Sequence, residues 1–261
     1  MKNIRKWGKP PFKVAVIHGG PGAPGEMAPV ARELAKAVGV LEPLQTKGSL
    51  EGQVQELRDV LKQNGNLPVV LVGWSHGATL GYILSARYPA LIEKLVIVGA
   101  PSFEEKYMAD ILSDRLNRLT EEERAEVFNL EKCIWDRAEE DKNVSLKRLF
   151  QLYAKADSYD PLPHKDELLE IQLDVNISVG LETHKVLASG ELLEMGKQIT
   201  CPVVAIHGDY DTHLPEGVRE PLARVLKDFR FILLEKCGHE PWLERYARDN
   251  FFKILKKEIL F

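Results

Sequence analysis

Gly73-Trp74-Ser75-His76-Gly77 decides how this chain folds. It follows an apolar run, Leu67-Pro68-Val69-Val70-Leu71-Val72, and precedes a helical pattern, Ala78-Thr79-Leu80-Gly81-Tyr82-Ile83-Leu84-Ser85-Ala86. A serine between two glycines at a strand-to-helix junction predicts a sharp elbow. The turn is too tight for side chains two residues either side of the serine, and glycine at 73 and 77 removes the clash. The serine hydroxyl is then lifted above a sheet, with the N–H of the next residue aimed at a reacting carbonyl.

Working outward from the elbow, strands and helices alternate. Lys13-Val14-Ala15-Val16-Ile17 reads as a strand ended by His18-Gly19-Gly20-Pro21-Gly22. Helical spacing runs from about Gly25 to Val38, with a short strand at Val38-Gly39-Val40-Leu41 and a second helix from Leu50 to Leu61. Pro89 stops the helix that leaves the elbow. Leu95-Val96-Ile97-Val98, Pro202-Val203-Val204-Ala205-Ile206 and Phe229-Arg230-Phe231-Ile232-Leu233-Leu234 are further buried-type strands. A helix from about Glu216 to Leu226 lies between the last two, and a final one is expected from Pro241 to about Ile259. This alternation predicts an α/β fold with a mainly parallel sheet flanked by helices.

Residues 101–199 break the pattern. They carry amphipathic helices and no strong strand, with Pro161 and Pro163 dividing the block. The runs Glu121-Glu122-Glu123-Arg124 and Asp136-Arg137-Ala138-Glu139-Glu140-Asp141 read as solvated helix faces. The expected organisation is a core over 1–100, a helical lid over 101–199, and the rest of the core over 200–261.

Composition narrows the partners. The chain has 261 residues, 44% hydrophobic and 28% charged, with a net charge of −4, which fits a globular enzyme-sized domain. No basic block predicts a nucleic-acid partner, and no apolar run approaches a membrane span. The basic start, Met1 to Pro11, lacks the apolar segment of a secretory signal. Three widely spaced cysteines, Cys133, Cys201 and Cys237, read as free thiols in a reducing cytoplasm. The expected partner is a small-molecule or short-peptide substrate, with the oligomeric state left open.

Sites in open α/β sheets form at the carboxyl ends of strands. Three such ends carry complementary groups: Ser75, Asp211 in His207-Gly208-Asp209-Tyr210-Asp211, and His239 in Cys237-Gly238-His239-Glu240-Pro241. A serine hydroxyl is a weak nucleophile until a base takes its proton, and a carboxylate fixes the base's tautomer. Gly20 and His76 N–H are the expected oxyanion donors; losing one such donor typically costs roughly a hundred- to a thousand-fold in rate. Asp209 competes with Asp211 and otherwise reads as a turn residue. His207, Asp209, Asp211 and His213 also alternate like metal ligands, but glycine and turn residues break any regular face, so neither metal nor cofactor is expected. His18 and His207 read as packed strand-end residues, His164 and His213 as surface loop residues, and Cys237 as a small packed one. Trp74, Tyr82 and Trp242 read as core aromatics, with Trp74 near enough to Ser75 to touch substrate as well.

With the elbow and the chain order Ser, Asp, His, the chain resembles the α/β-hydrolase superfamily over nearly its whole length. The loop His18-Gly19-Gly20-Pro21-Gly22 resembles that of the proline iminopeptidases, a family of serine aminopeptidases. The resemblance implies an α/β-hydrolase fold with substrate passing Gly19 and Trp74. It also points to Glu182, in Gly180-Leu181-Glu182-Thr183-His184, as a lid carboxylate gripping the substrate ammonium, with Asp157, Asp160 and Glu194 as rivals. Two departures stand out. That family usually has a Gly-Gly-Ser-Trp-Gly type of elbow, and the antiparallel strands at the sheet's start are missing or shortened here. The leading expectation is therefore an aminopeptidase acting on short peptides. A carboxylesterase or carbon–carbon bond hydrolase with the same triad is the alternative, and a catalytically dead binding protein the third reading.

Overall fold

Among the residues described by the computed structural model (3–136, 142–165 and 167–260), seven strands make one sheet. The first part of the chain lays down β1 (Ile4–Trp7), β2 (Phe12–Ile17), α1 (Ala28–Leu34), β3 (Gly39–Pro43), α2 (Leu50–Asn64), β4 (Val69–Trp74), α3 (His76–Arg87) and β5 (Ile92–Val98). Helices α4 (Ile111–Asn117), α5 (Glu121–Trp135), α6 (Lys142–Ala156), α7 (Leu173–Ala188) and α8 (Glu191–Glu194) follow. The sheet then resumes with β6 (Val203–Gly208), α9 (Glu216–Val225), β7 (Phe229–Leu234) and α10 (Arg248–Leu260). The strand order is β1-β3-β2-β4-β5-β6-β7. Short β1 runs antiparallel to β3, Ile4 facing Pro43 and Trp7 facing Val40, and the remaining pairings are parallel. The antiparallel start of the sheet is thus reduced to one four-residue strand.

Successive side chains of a strand point to opposite faces, and here both faces are apolar. Val14, Val16, Val70, Val72, Val96 and Val98 face α1 and α10, where they meet Met27, Leu34, Phe251 and Leu255. Ala15, Ile17, Leu71, Leu95 and Ile97 face the other way, onto α2 and α3. Each fully buried aliphatic side chain contributes about 1.5–3 kcal/mol. Helix α3 is buried along almost its entire length, from His76 to Ala86. It is apolar on all sides because the sheet lies on one side and α2 and α8 close the other.

The block at 101–199 divides into two parts. Leu119, Val127, Ile134, Leu146, Leu149, Leu152 and Leu173 form a separate apolar cluster, the core of a lid. Val179, Leu187 and Leu192 instead join the main core beside α2 and α3. Helix α7 therefore spans both, with Leu173 and Ile177 at its start packed into the lid cluster and Val179 and Leu187 further along packed into the core. Glu121, Glu122 and Glu123 occupy the first turn of α5, where the helix dipole favours anions, and Thr120 with Glu123 completes a reciprocal cap. Beyond Asp136, the acidic run ending at Asp141 lies outside the described residues.

The last helix starts at Arg248 rather than Pro241. Trp242 mimics helical spacing but sits in a turn, where its ring meets Trp74 edge-on at 5.1 Å. That turn is pinned to the lid by the N–H of Leu162 donating to the carbonyl of Leu243 at 2.7 Å. Among the described residues, no helix is long and apolar enough to cross a membrane.

Candidate active site

The order β3-β2-β4 sends the chain in opposite directions from β2, which opens a crevice at the carboxyl ends of β2 and β4. The elbow stands on that edge. Ser75 has φ 52° and ψ −123°, a conformation costing a non-glycine residue on the order of 1–3 kcal/mol. The backbones around it are packed to contact. A Cβ on Gly73 would stand 2.3 Å from the carbonyl oxygen of Gly77, and one on Gly77 would stand 2.4 Å from that of Ile17. The Ser75 N–H donates to the carbonyl of Val98 at 3.0 Å, fixing the turn to β5. The hydroxyl makes no capping bond to α3. His76 is the first residue of that helix, where an N–H has no intrahelical acceptor.

Asp211 and His239 meet on the same edge. His239 Nδ1 donates to Asp211 Oδ2 at 2.7 Å, which leaves Nε2 as the basic nitrogen. Burial opposes the charge on Asp211, yet His239 and His213 beside it, and the hydrogen bonds from both, hold its carboxyl well below the usual range. Burial likewise opposes a charged His239, but the Asp211 carboxylate raises its pKa above the ordinary histidine value. Asp209 is turned away, its Oδ1 accepting from the N–H of Cys237 at 3.1 Å.

Three of the sequence candidates, Gly20, Trp74 and His239, line the core side of a cavity of about 170 Å³, and Phe150, Tyr153 and Ala154 line its lid side. Gly19 lies against the Trp74 ring and Ser75. Trp74 does two things, lining this cavity and donating from Nε1 to the carbonyl of His239 at 2.9 Å.

Glu182 is a correction. Its carboxylate accepts from the N–H of Leu50 at 2.6 Å, holding the N-terminus of α2, and it is not among the cavity's lining residues. The helix dipole supplies the reason, since an anion is stabilised at a helix N-terminus. Its rivals are also engaged: Asp157 with Arg115, Asp160 with Arg245, and Glu194 with Lys197. The carboxylates that do line the cavity are Glu26, Asp157 and Glu240. Glu240 makes no side-chain hydrogen bond among the described residues, and burial raises its pKa against the opposing pull of His239. Its position beside His239 in the sequence was the available signal. Glu26 and Glu240 also line a second cavity of about 200 Å³, which shares Phe150 and Ala154 with the first.

Lid residues brace the histidine. Arg115 of α4 grips both oxygens of Asp157, which also accepts from Thr212 Oγ1 at 2.6 Å. The Asp157 carbonyl in turn accepts the N–H of His239 at 3.0 Å. Glu244 accepts from the N–H groups of Gly238, Tyr159 and Asp160 at 2.8, 2.8 and 2.9 Å, tying the histidine loop to the lid.

The remaining histidines fall into two groups. His18 is buried, donates from Nδ1 to the carbonyl of Gly19 at 2.7 Å, and burial lowers its pKa to about 4. His207 is buried too, its Nε2 donating to the carbonyl of His213 at 2.6 Å. His213 is the second correction: it is not a surface residue but contacts Asp211 and stacks on His239. Asp211, His213 and His239 offer ligand atoms within 4.8 Å of one another, a donor set that could hold a metal ion. In the present arrangement their ring nitrogens and carboxylate oxygens bond to each other.

Against known proteins, residues 14–246 match the model of the alpha/beta hydrolase fold family, and the chain belongs to it. No curated protein sequence matches it. Among solved structures, VinJ superposes with a TM-score of 0.67 at 20% identity, covering 98% of this chain and 94% of that one. A proline iminopeptidase from Mycobacterium smegmatis gives 0.65 at 18% identity, covering 98% and 93%. A point variant of the meta-cleavage product hydrolase CumD gives 0.64 at 17%, covering 97% and 92%.

Proposed function

We propose that this hydrolase works through a Ser75-His239-Asp211 triad. The observation that carries the reading is the 2.7 Å bond from His239 Nδ1 to buried Asp211 on the strand edge that holds the strained Ser75 elbow. His239 Nε2 takes the Ser75 proton as Oγ attacks the acyl carbon. The Gly20 and His76 N–H groups stabilise the oxyanion. His239 then protonates the leaving group, and a water activated the same way releases the acyl product.

For the substrate, we propose an N-terminal residue of a short peptide, cleaved in the manner of a proline iminopeptidase. Three features support this: the His18 to Gly22 loop, the iminopeptidase among structures of the same fold, and carboxylates in the cavity that His239 lines. Glu240, with Glu26 opposite, takes the ammonium-binding role that Glu182, engaged at the N-terminus of α2, does not fill. A buried carboxylate recognises a cation by a charge-assisted hydrogen bond. The apolar walls of Trp74, Phe150 and Tyr153 favour a second reading, a neutral ester or carbon–carbon substrate. Hydrolysis of a prolyl anilide, other aminoacyl anilides and a short-chain aryl ester, compared before and after Glu240→Gln, separates the two. The peptide reading expects kcat/KM for the anilides to fall about tenfold or more with the ester nearly unchanged. Equal effects on both, or turnover of the ester alone, favour the second reading.

A further inference from the structure

Three imidazoles surround one carboxylate here, and a triad uses one of them. Asp211 Oδ2 faces His239 Nδ1 at 2.7 Å, with His207 Nε2 at 3.5 Å. Asp211 Oδ1 is held by His213 twice, from its backbone N–H at 2.9 Å and from its ring Nδ1 at 3.0 Å. The rings of His213 and His239 stack at 4.7 Å with 27° between their planes. His213 is in turn fixed from behind, its carbonyl accepting from His207 Nε2 at 2.6 Å.

We propose that His213 is a positioning residue that clamps Asp211 Oδ1 so that Oδ2 stays aligned on His239, and that it sets how strongly Asp211 draws a proton to His239. The proposal rests on the triad reading above. A carboxylate oxygen that accepts two N–H bonds carries less charge to its partner oxygen, so Oδ2 pulls less strongly on the imidazolium. The clamp works only with a neutral His213, because a second imidazolium stacked on His239 would oppose the charge that forms there. Burial favours the neutral ring, lowering the His213 pKa despite the nearby Asp211 charge. The other charged and titratable groups facing this pair are His207 at the end of β6, Arg115 and Asp157 from the lid, and Glu240 beside His239.

The test needs no knowledge of the substrate. The rate at which a fluorophosphonate probe labels Ser75 is measured against pH for the wild type, His213→Phe and His213→Asn. Phenylalanine keeps the stack and removes the donor, whereas asparagine keeps a donor at the same place and cannot titrate. In H213F the pH midpoint should move up by about half a unit and the plateau rate should fall roughly tenfold. H213N should restore the midpoint to within about 0.2 units of the wild type. If H213F does not fold, H213L is the donor-free comparison. A donor-free variant matching the wild type in midpoint and plateau overturns the proposal. So does an H213N midpoint displaced as far as that of the donor-free variant. Absence of Ser75 labelling in the wild type is a different failure, because it removes the triad reading itself.

Discussion

The carboxyl edge of the sheet and the lid above it hold the same cavity by different means. On the edge, backbone does the positioning: Gly73 and Gly77 let three chain segments touch, and Ser75 is held at φ 52° between β4 and α3. In the lid, side chains do it. Arg115 locks Asp157, Arg118 Nη1 donates to the carbonyl of Tyr210 at 2.6 Å, and Glu244 collects three N–H groups of the histidine loop and the lid. The two means differ in what they tolerate. A backbone constraint admits only certain residue types and leaves a short motif. A side-chain constraint can be met by many pairs far apart in sequence and leaves none. The lid also reaches the edge, since the carbonyl of Asp157 holds the N–H of His239.

The comparison breaks most visibly at Asp211. Asp211→Asn should leave the fold intact and cut turnover about 10⁴-fold by favouring the wrong imidazole tautomer. Asp209→Asn, whose carboxylate only holds the N–H of Cys237, should cost far less turnover in steady-state assays. If D209N has the larger effect in folded protein, the edge is wired through the other carboxylate. A second test sharpens the lid's side. Asp157 is buried with Arg115 as its ion partner, so Arg115→Met strands a buried charge and should cost on the order of 3–5 kcal/mol in denaturant unfolding. The exposed pair Arg148–Glu126 is the control, and Arg148→Met should change stability by about 0.5 kcal/mol or less. Equal effects would mean that the Arg115–Asp157 pair does not hold the lid together.

What the sequence revealed follows the same division. The sheet was legible because β2, β4, β5 and β6 are β-branched runs with apolar residues on both faces, a pattern set by two covered faces. Ser75 directly follows β4, and Asp211 and His239 lie in the loops after β6 and β7, so the order of elements alone puts all three at one edge of the sheet. Glu182 misled because a glutamate in a lid helix carries no local mark of its partner, and that partner, the N–H of Leu50, lies 132 residues away. His213 was read as a loop residue for the same reason: nothing in Asp211-Thr212-His213 states that the chain folds back to place both imidazoles on one carboxylate. Helix α7 is amphipathic like its neighbours, and only its packing, Leu173 with the lid cluster and Val179 and Leu187 with the core, shows that it bridges the two.

The proposed triad makes Ser75 the nucleophile, presented by the elbow and activated by His239. Labelling the folded protein with a fluorophosphonate probe and mapping the adduct by peptide mass spectrometry tests this directly, with Ser75→Ala as the partner sample. The account predicts one adduct, on Ser75, abolished in S75A together with nearly all turnover, a loss on the order of a millionfold for such a serine. An adduct on another residue, or S75A retaining even a tenth of wild-type turnover, would contradict it.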